Sequence, residues 1–141
     1  MIQPENLHAV WDYVKKGLDR VQEASPEHWR QEDVYAQCRY KLASLYVGYD
    51  GERRLGFFIT QALKQPFSGK LYLNVWILWA EPVRGDHFAD VRAFMGETMG
   101  FIDECAKYIG AKTIQMAGRA GWSRYLKEYF KAQQVVYERE V

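Results

Sequence analysis

The sequence has few cysteines and no long apolar run, and its charge is nearly balanced. Two cysteines, Cys38 and Cys105, sit in helical patterns among apolar neighbours. A disulfide framework is therefore not expected, and both read as free thiols of a reducing compartment. Lys and Arg total 19 against 18 Asp and Glu, a formal net charge of +1. Bulk electrostatics of that size gives no pull toward nucleic acid or an anionic membrane, and neither is expected as a partner. No apolar stretch reaches ~18 residues, so no membrane span is predicted. The start, Met1 to Asn6, lacks the basic and apolar regions of a signal peptide, which points to a cytoplasmic chain. His8, His28 and His87 are scattered, and none pairs with Cys or a carboxylate at a metal-ligand spacing. No metal is expected. A Ser-centred nucleophile elbow, a P-loop and a zinc knuckle are all missing.

What is present is a rich supply of core. Of the 141 residues 48% are hydrophobic and 16% aromatic, enough for one domain without staples and too many for a disordered chain. Leu7, Val10, Trp11, Val14, Leu18 and Val21 recur at helical spacing with Lys15, Lys16, Asp19 and Arg20 opposite. That spacing predicts a helix capped by Asn6 and ended near Ala24 by Pro26. A second helix is predicted over Glu32–Lys41, with Val34, Tyr35 and Cys38 inward. Leu45–Tyr49 and Leu55–Gln61 read as strands joined by an Asp50-Gly51 hairpin. After a loop at Gln65–Lys70, Tyr72–Ala80 is a long apolar strand. Strict alternation sends Trp76 and Trp79 to opposite faces of the sheet, with Leu73, Val75, Ile77 and Trp79 as the core side. The other face, carrying Tyr72, Asn74, Trp76 and Leu78, suits a cleft or a protein interface. A helix over Phe88–Ile109 follows, with Gly96 and Gly100 expected to pack closely on the sheet. Lys112–Met116 is a strand, Trp122–Lys131 a helix and Val135–Arg139 a last strand. Strands alternating with helices predict an α/β layer architecture in which the Phe88–Ile109 helix crosses between parallel strands.

That element order resembles the Gcn5-related N-acetyltransferase (GNAT) fold, lacking its first strand. The hairpin from Leu45 through Asp50-Gly51 to Thr60 is similar to one common in that family. Ile114 to Leu126, with Gly118-Arg119-Ala120-Gly121-Trp122-Ser123-Arg124 at its centre, is similar to a signature of small GNAT-like proteins of tailed bacteriophages. The resemblance implies a single GNAT-like α/β domain over residues 1–141, with a mixed, mostly antiparallel sheet and helices on both faces. It also implies a place in the bacterial host cytoplasm or the virion, and other phage or host proteins as partners. An oligomer is compatible with it.

Family resemblance places the acetyl-CoA pyrophosphate on the loop after the long strand. There a pattern Arg/Gln-x-x-Gly-x-Gly/Ala lets backbone N–H groups approach the phosphates. The corresponding residues are Arg84, Gly85, Asp86, His87, Phe88 and Ala89. Arg84 and Ala89 fit the ends of the pattern. His87 stands where the first glycine is required, Asp86 adds negative charge beside a diphosphate, and Phe88 is bulky at the helix start. The loop reads as degenerate. For the chemistry, Glu81 at the strand end is the candidate base, and Tyr125 or Tyr129 the candidate acid for the leaving thiolate. Each has an ordinary alternative, a solvated carboxylate or a packed ring. Two functions follow: a phage GNAT-fold protein acting mainly through protein binding in virion assembly or infection, or an active acetyl-CoA-dependent N-acetyltransferase on a small amine or a protein.

Overall fold

The computed structural model describes residues 1–24, 29–81, 87–117, 126–131 and 139–141. A 3-10 turn at Pro4–Asn6 runs straight into α1 (Leu7–Ala24). Asn6 is therefore not an isolated cap. Its N–H closes the turn on the Gln3 carbonyl at 2.8 Å, and Pro4 takes the early helical position where its missing N–H costs nothing. Next come α2 (Gln31–Arg39), β1 (Ser44–Asp50), β2 (Arg53–Lys64), β3 (Leu71–Ala80), α3 (His87–Ile109) and β4 (Thr113–Met116). At the start of α2, Asp33 Oδ2 accepts the Arg30 backbone N–H at 3.0 Å, supplying a capping acceptor where the sequence offers no Ser or Thr.

The described strands form one sheet in the order β1-β2-β3-β4, with β1, β2 and β3 antiparallel and β4 parallel to β3. The parallel pair is the one joined through α3, as a helical crossover requires. Among the described residues only Ile2 continues the sheet beyond β1, through a single bridge to Leu45. The predicted hairpin is present: Asp50 pairs with Arg53, and Gly51 alone has positive φ, at 62°. A two-residue loop with φ positive only at its first residue is a type II′ turn, whose twist matches the flanking strands.

Helices cover both faces. Val10, Val14, Leu18, Val34 and Cys38 of α1 and α2 bury Leu45, Phe57, Ile59, Ile77 and Trp79 on one face. Phe94, Met95, Met99, Ile102 and Ala106 of α3 bury Phe58, Leu73, Val75, Leu78 and Ala80 on the other. Two expectations fail here. Ile59 pairs with Ile77 but Thr60 pairs with Val75, so Trp76 is an extra residue in β3. This β-bulge shifts the alternation by one. Trp76 and Trp79 consequently both pack on the α1–α2 side, and Leu73 and Val75 face α3 rather than sharing a face with Ile77. Of the predicted mixed face, half-buried Tyr72, Asn74 and Trp76 stay together, with the Asn74 amide donating to Gln61 Oε1 at 3.1 Å, while Leu78 faces α3. Second, Gly96 and Gly100 lie on the exposed side of α3, not against the sheet. Residues 135–138 of the predicted last strand and 122–125 of the predicted Trp122–Lys131 helix lie outside the described residues, as do Pro26 and the Gly118–Gly121 turn; the rest of that helix is replaced by a turn over 127–129, in which the Tyr129 and Phe130 N–H groups donate to the Leu126 carbonyl.

Candidate active site

Two strand irregularities shape the end of the sheet where β3 stops. Pairing between β3 and β4 runs from Tyr72–Thr113 to Val75–Met116 and stops one residue before the Trp76 bulge. From Trp76 to Ala80, β3 has no strand partner on that side among the described residues. Its other edge stays paired to β2 as far as Gly56–Ala80, and the Glu81 N–H still donates to the Leu55 carbonyl at 2.8 Å. Among the described residues the strand is fixed from one side and open on the other, with Glu81 at its tip. An open edge of this kind offers main-chain hydrogen bonds to any extended ligand that carries amides.

Gly56 makes the tip this tight. Its φ is +148°, and a methyl group added there would stand 3.0 Å from the Ala80 Cα, which leaves no room for a side chain. Leu55 is the extra residue of a second bulge, where Gly48 pairs with Gly56 and Tyr49 with Arg54. A bulge re-aims the side chains beside it, here Arg54 toward Tyr13 of α1.

Glu81 belongs to the α1 side. Its Oε1 lies 3.5 Å from Lys16 Nζ, and its side chain keeps 24% of its exposure. An ion pair this long and this wet contributes little stability and leaves the carboxylate free to take a proton. Tyr13, one turn before Lys16, packs edge-on to Trp79 at 5.7 Å and Phe57 at 6.4 Å. The Arg54 guanidinium lies over its ring at 4.7 Å, a cation–π contact. The Tyr13 hydroxyl is buried without a hydrogen-bond partner among the described residues. Burial first, and then the negative charge of the Glu81 carboxylate close by, hold its pKa well above the ordinary phenol value. A buried orphan hydroxyl beside a partly exposed carboxylate is an uncommon arrangement in a folded protein.

The other sequence-derived candidates fall elsewhere. Tyr129 is partly exposed, and its hydroxyl sits 3.6 Å from where a Cβ on Gly96 of α3 would stand. Glu81 and Tyr129 are thus on opposite faces of the sheet. Tyr125, Arg84, Gly85 and Asp86 lie outside the described residues. His87, Phe88 and Ala89 form the first turn of α3, so the connection from Glu81 to the helix is the five residues 82–86. Tyr13 and Arg54 escaped the sequence reading altogether, and Lys16 read as part of a solvated face. Nothing in the local pattern of α1 or of the hairpin points to a carboxylate so far along the chain. No group of His, Cys, Asp and Glu among the described residues could hold a metal ion.

No protein-family model and no curated protein matches the sequence. Solved structures do. The ribosomal-protein-alanine N-acetyltransferase of Brucella melitensis superposes with a TM-score of 0.67 at 13% identity, over 99% of this chain and 96% of that one. An aminoglycoside acetyltransferase from an uncultured soil sample gives 0.62 at 10% identity, over 99% and 95%. A transcriptional regulator of Bacillus halodurans gives 0.62 at 16%, over 92% and 91%. Similarity at such low identity is similarity of fold alone. With four strands in this order, a parallel pair crossed by α3 and helices on both faces, the chain has a GNAT-like α/β fold.

Proposed function

We propose that this chain binds acetyl-CoA along the open edge of β3 and transfers the acetyl group to an amine. The observation that carries the reading is the run from Trp76 to Ala80, unpaired toward β4 among the described residues and ending on Glu81. The amide-bearing arm of coenzyme A is an extended ligand of the kind such an edge accepts. Its thioester would then lie near the strand tip. The amine nitrogen attacks the thioester carbonyl, the C–S bond breaks, and the proton lost by the amine passes to Glu81, directly or through water. The thiolate takes a proton from solvent or from Tyr125; Tyr129, on the α3 face opposite Glu81, is poorly placed for that transfer. The similar structures include proteins described as acting on a ribosomal protein and on an aminoglycoside. Both a protein amine and a small amine therefore belong in the acceptor screen.

A second reading rests on the sequence of the loop. Asp86, His87 and Phe88 stand where a phosphate-cradling turn needs small, neutral residues. In that case the chain is a phage-encoded member of the fold with a degenerate loop, bound to other phage or host proteins during assembly or infection. Isothermal titration with acetyl-CoA separates the two. Micromolar binding that is lost in Arg84→Glu supports transfer. Absence of heat and of any thermal shift at millimolar acetyl-CoA leaves the protein-binding reading, to be pursued by pull-down from infected cells.

A further inference from the structure

We propose that the end of the sheet opposite Glu81 docks onto an anionic lipid surface, with Phe67 entering the bilayer interface and the flanking lysines meeting the headgroups. This goes beyond acetyl transfer and does not depend on it. The β2–β3 hairpin carries the geometry. β1 begins at Ser44, paired with Thr60, while β2 continues through Gln61–Lys64 before turning. At about 3.3 Å per residue, the hairpin stands roughly 13 Å beyond the β1 end. Its tip is a built turn. The Gln65 N–H donates to the Lys70 carbonyl at 2.9 Å, and the Gly69 N–H donates to the Gln65 carbonyl at 3.0 Å. The Lys70 N–H donates to Ser68 Oγ at 3.3 Å. Gly69 supplies the positive φ, 68°. This ordered turn nonetheless holds Phe67 fully exposed, with exposed Lys64 and Lys70 on either side.

The neighbouring connections repeat the composition. The α2–β1 turn folds back on the Gln37 carbonyl, which accepts the N–H groups of Leu42 and Ala43. It leaves Tyr40, Lys41 and Leu42 exposed. On the far side of the hairpin, the Lys112 N–H donates to the Leu71 carbonyl at 2.8 Å, which sets that exposed lysine beside the Lys64–Leu71 pair, the last before the turn. On α3, the Glu104 carboxylate is engaged by Lys107 at 3.5 Å. A protruding phenylalanine with aliphatic neighbours, ringed by cations, matches the boundary of headgroup and acyl chain. Phe67 and Tyr40 each offer a base a stacking face, but the exposed aliphatic Leu42 and Leu63 suit acyl chains better than bases, which favours a lipid surface over single-stranded nucleic acid. The net charge of +1 is a sum over the whole chain and does not describe how the lysines of this surface are grouped.

The test is flotation of the full chain with vesicles of phosphatidylcholine, with and without phosphatidylserine. Binding is expected to the phosphatidylserine vesicles only, and to fall with added salt. Phe67→Asp and the pair Lys64→Glu with Lys70→Glu should each weaken it about tenfold or more. These residues are exposed, so an unchanged circular dichroism melt is expected for both variants. No flotation, or flotation insensitive to both variants, overturns the proposal. Retention of an oligo-dT probe through the same residues, without vesicle binding, overturns it in favour of nucleic acid.

Discussion

Gly17 on α1 lies against Trp79 on β3, and a methyl group added at position 17 would stand 2.7 Å from the indole and closer still to the Phe57 ring. Helix propensity alone favours alanine there by about 1 kcal/mol. Overpacking of a closed core costs about 1–3 kcal/mol, and both rings are held by the α1–α2 cluster. Gly17→Ala should therefore destabilise the protein, by a net of up to about 2 kcal/mol, read as a lower urea midpoint at unchanged m. A variant as stable as the parent would mean that Trp79 can move.

Glu81→Gln keeps the shape of the strand tip and removes the proton acceptor. On the acetyl-transfer reading, kcat should fall about 10²–10⁴-fold while acetyl-CoA affinity stays unchanged. Steady-state kinetics together with titration calorimetry check both halves. A matching loss of affinity would instead make Glu81 a structural support of the cofactor edge.

Tyr13→Phe deletes the orphan hydroxyl and keeps the ring stacked on Trp79, Phe57 and Arg54. A buried hydroxyl without a partner is a cost of about 1–3 kcal/mol, so the variant should melt no lower than the parent, and higher by up to a few degrees. If the melting temperature drops, the hydroxyl has a partner in solution.

Cys38 is buried under α1, and burial pushes its thiol up to about 11. The fold therefore prefers the protonated thiol. That contribution is complete below the unfolded value of about 8.5 and is lost as pH rises from there toward 11. Urea midpoints should decline over that interval, and less so in Cys38→Ala. At pH 8 the native protein should take one iodoacetamide, on the half-buried Cys105, and a second only after unfolding.

The parts of the fold that local chemistry determines were legible in the sequence. Leu7 through Val21 show the period of α1, Asp50-Gly51 marks the hairpin, and the crossover through α3 makes β3 and β4 parallel. Trp76 shows where legibility ends. In a run where nearly every residue is apolar, an inserted residue leaves no trace in the pattern, because both phases of the alternation look equally buried. The glycines of α3 misled for a related reason. Small residues permit close packing but do not compel it, and Phe94, Met95 and Met99 won the sheet face. The surroundings of Glu81 come from α1 and the β1–β2 hairpin, distant in sequence from β3, and no local rule joins Tyr13 or Arg54 to it.

The Trp76 bulge also bears on how the chain tolerates change. Upstream of it, Leu73 and Val75 serve the α3 layer; downstream, Ile77 and Trp79 serve the α1–α2 layer from positions of the same parity. One strand thus belongs to both halves of the molecule, with its allegiance exchanged at a single residue. Deleting Trp76 would take out the inserted residue and leave Val75 opposite Thr60 and Ile77 opposite Ile59 in one unbroken ladder. Leu73, Val75, Ile77 and Trp79 would keep the sides they now hold, so the stretch that leads to Glu81 can lose this residue without turning over.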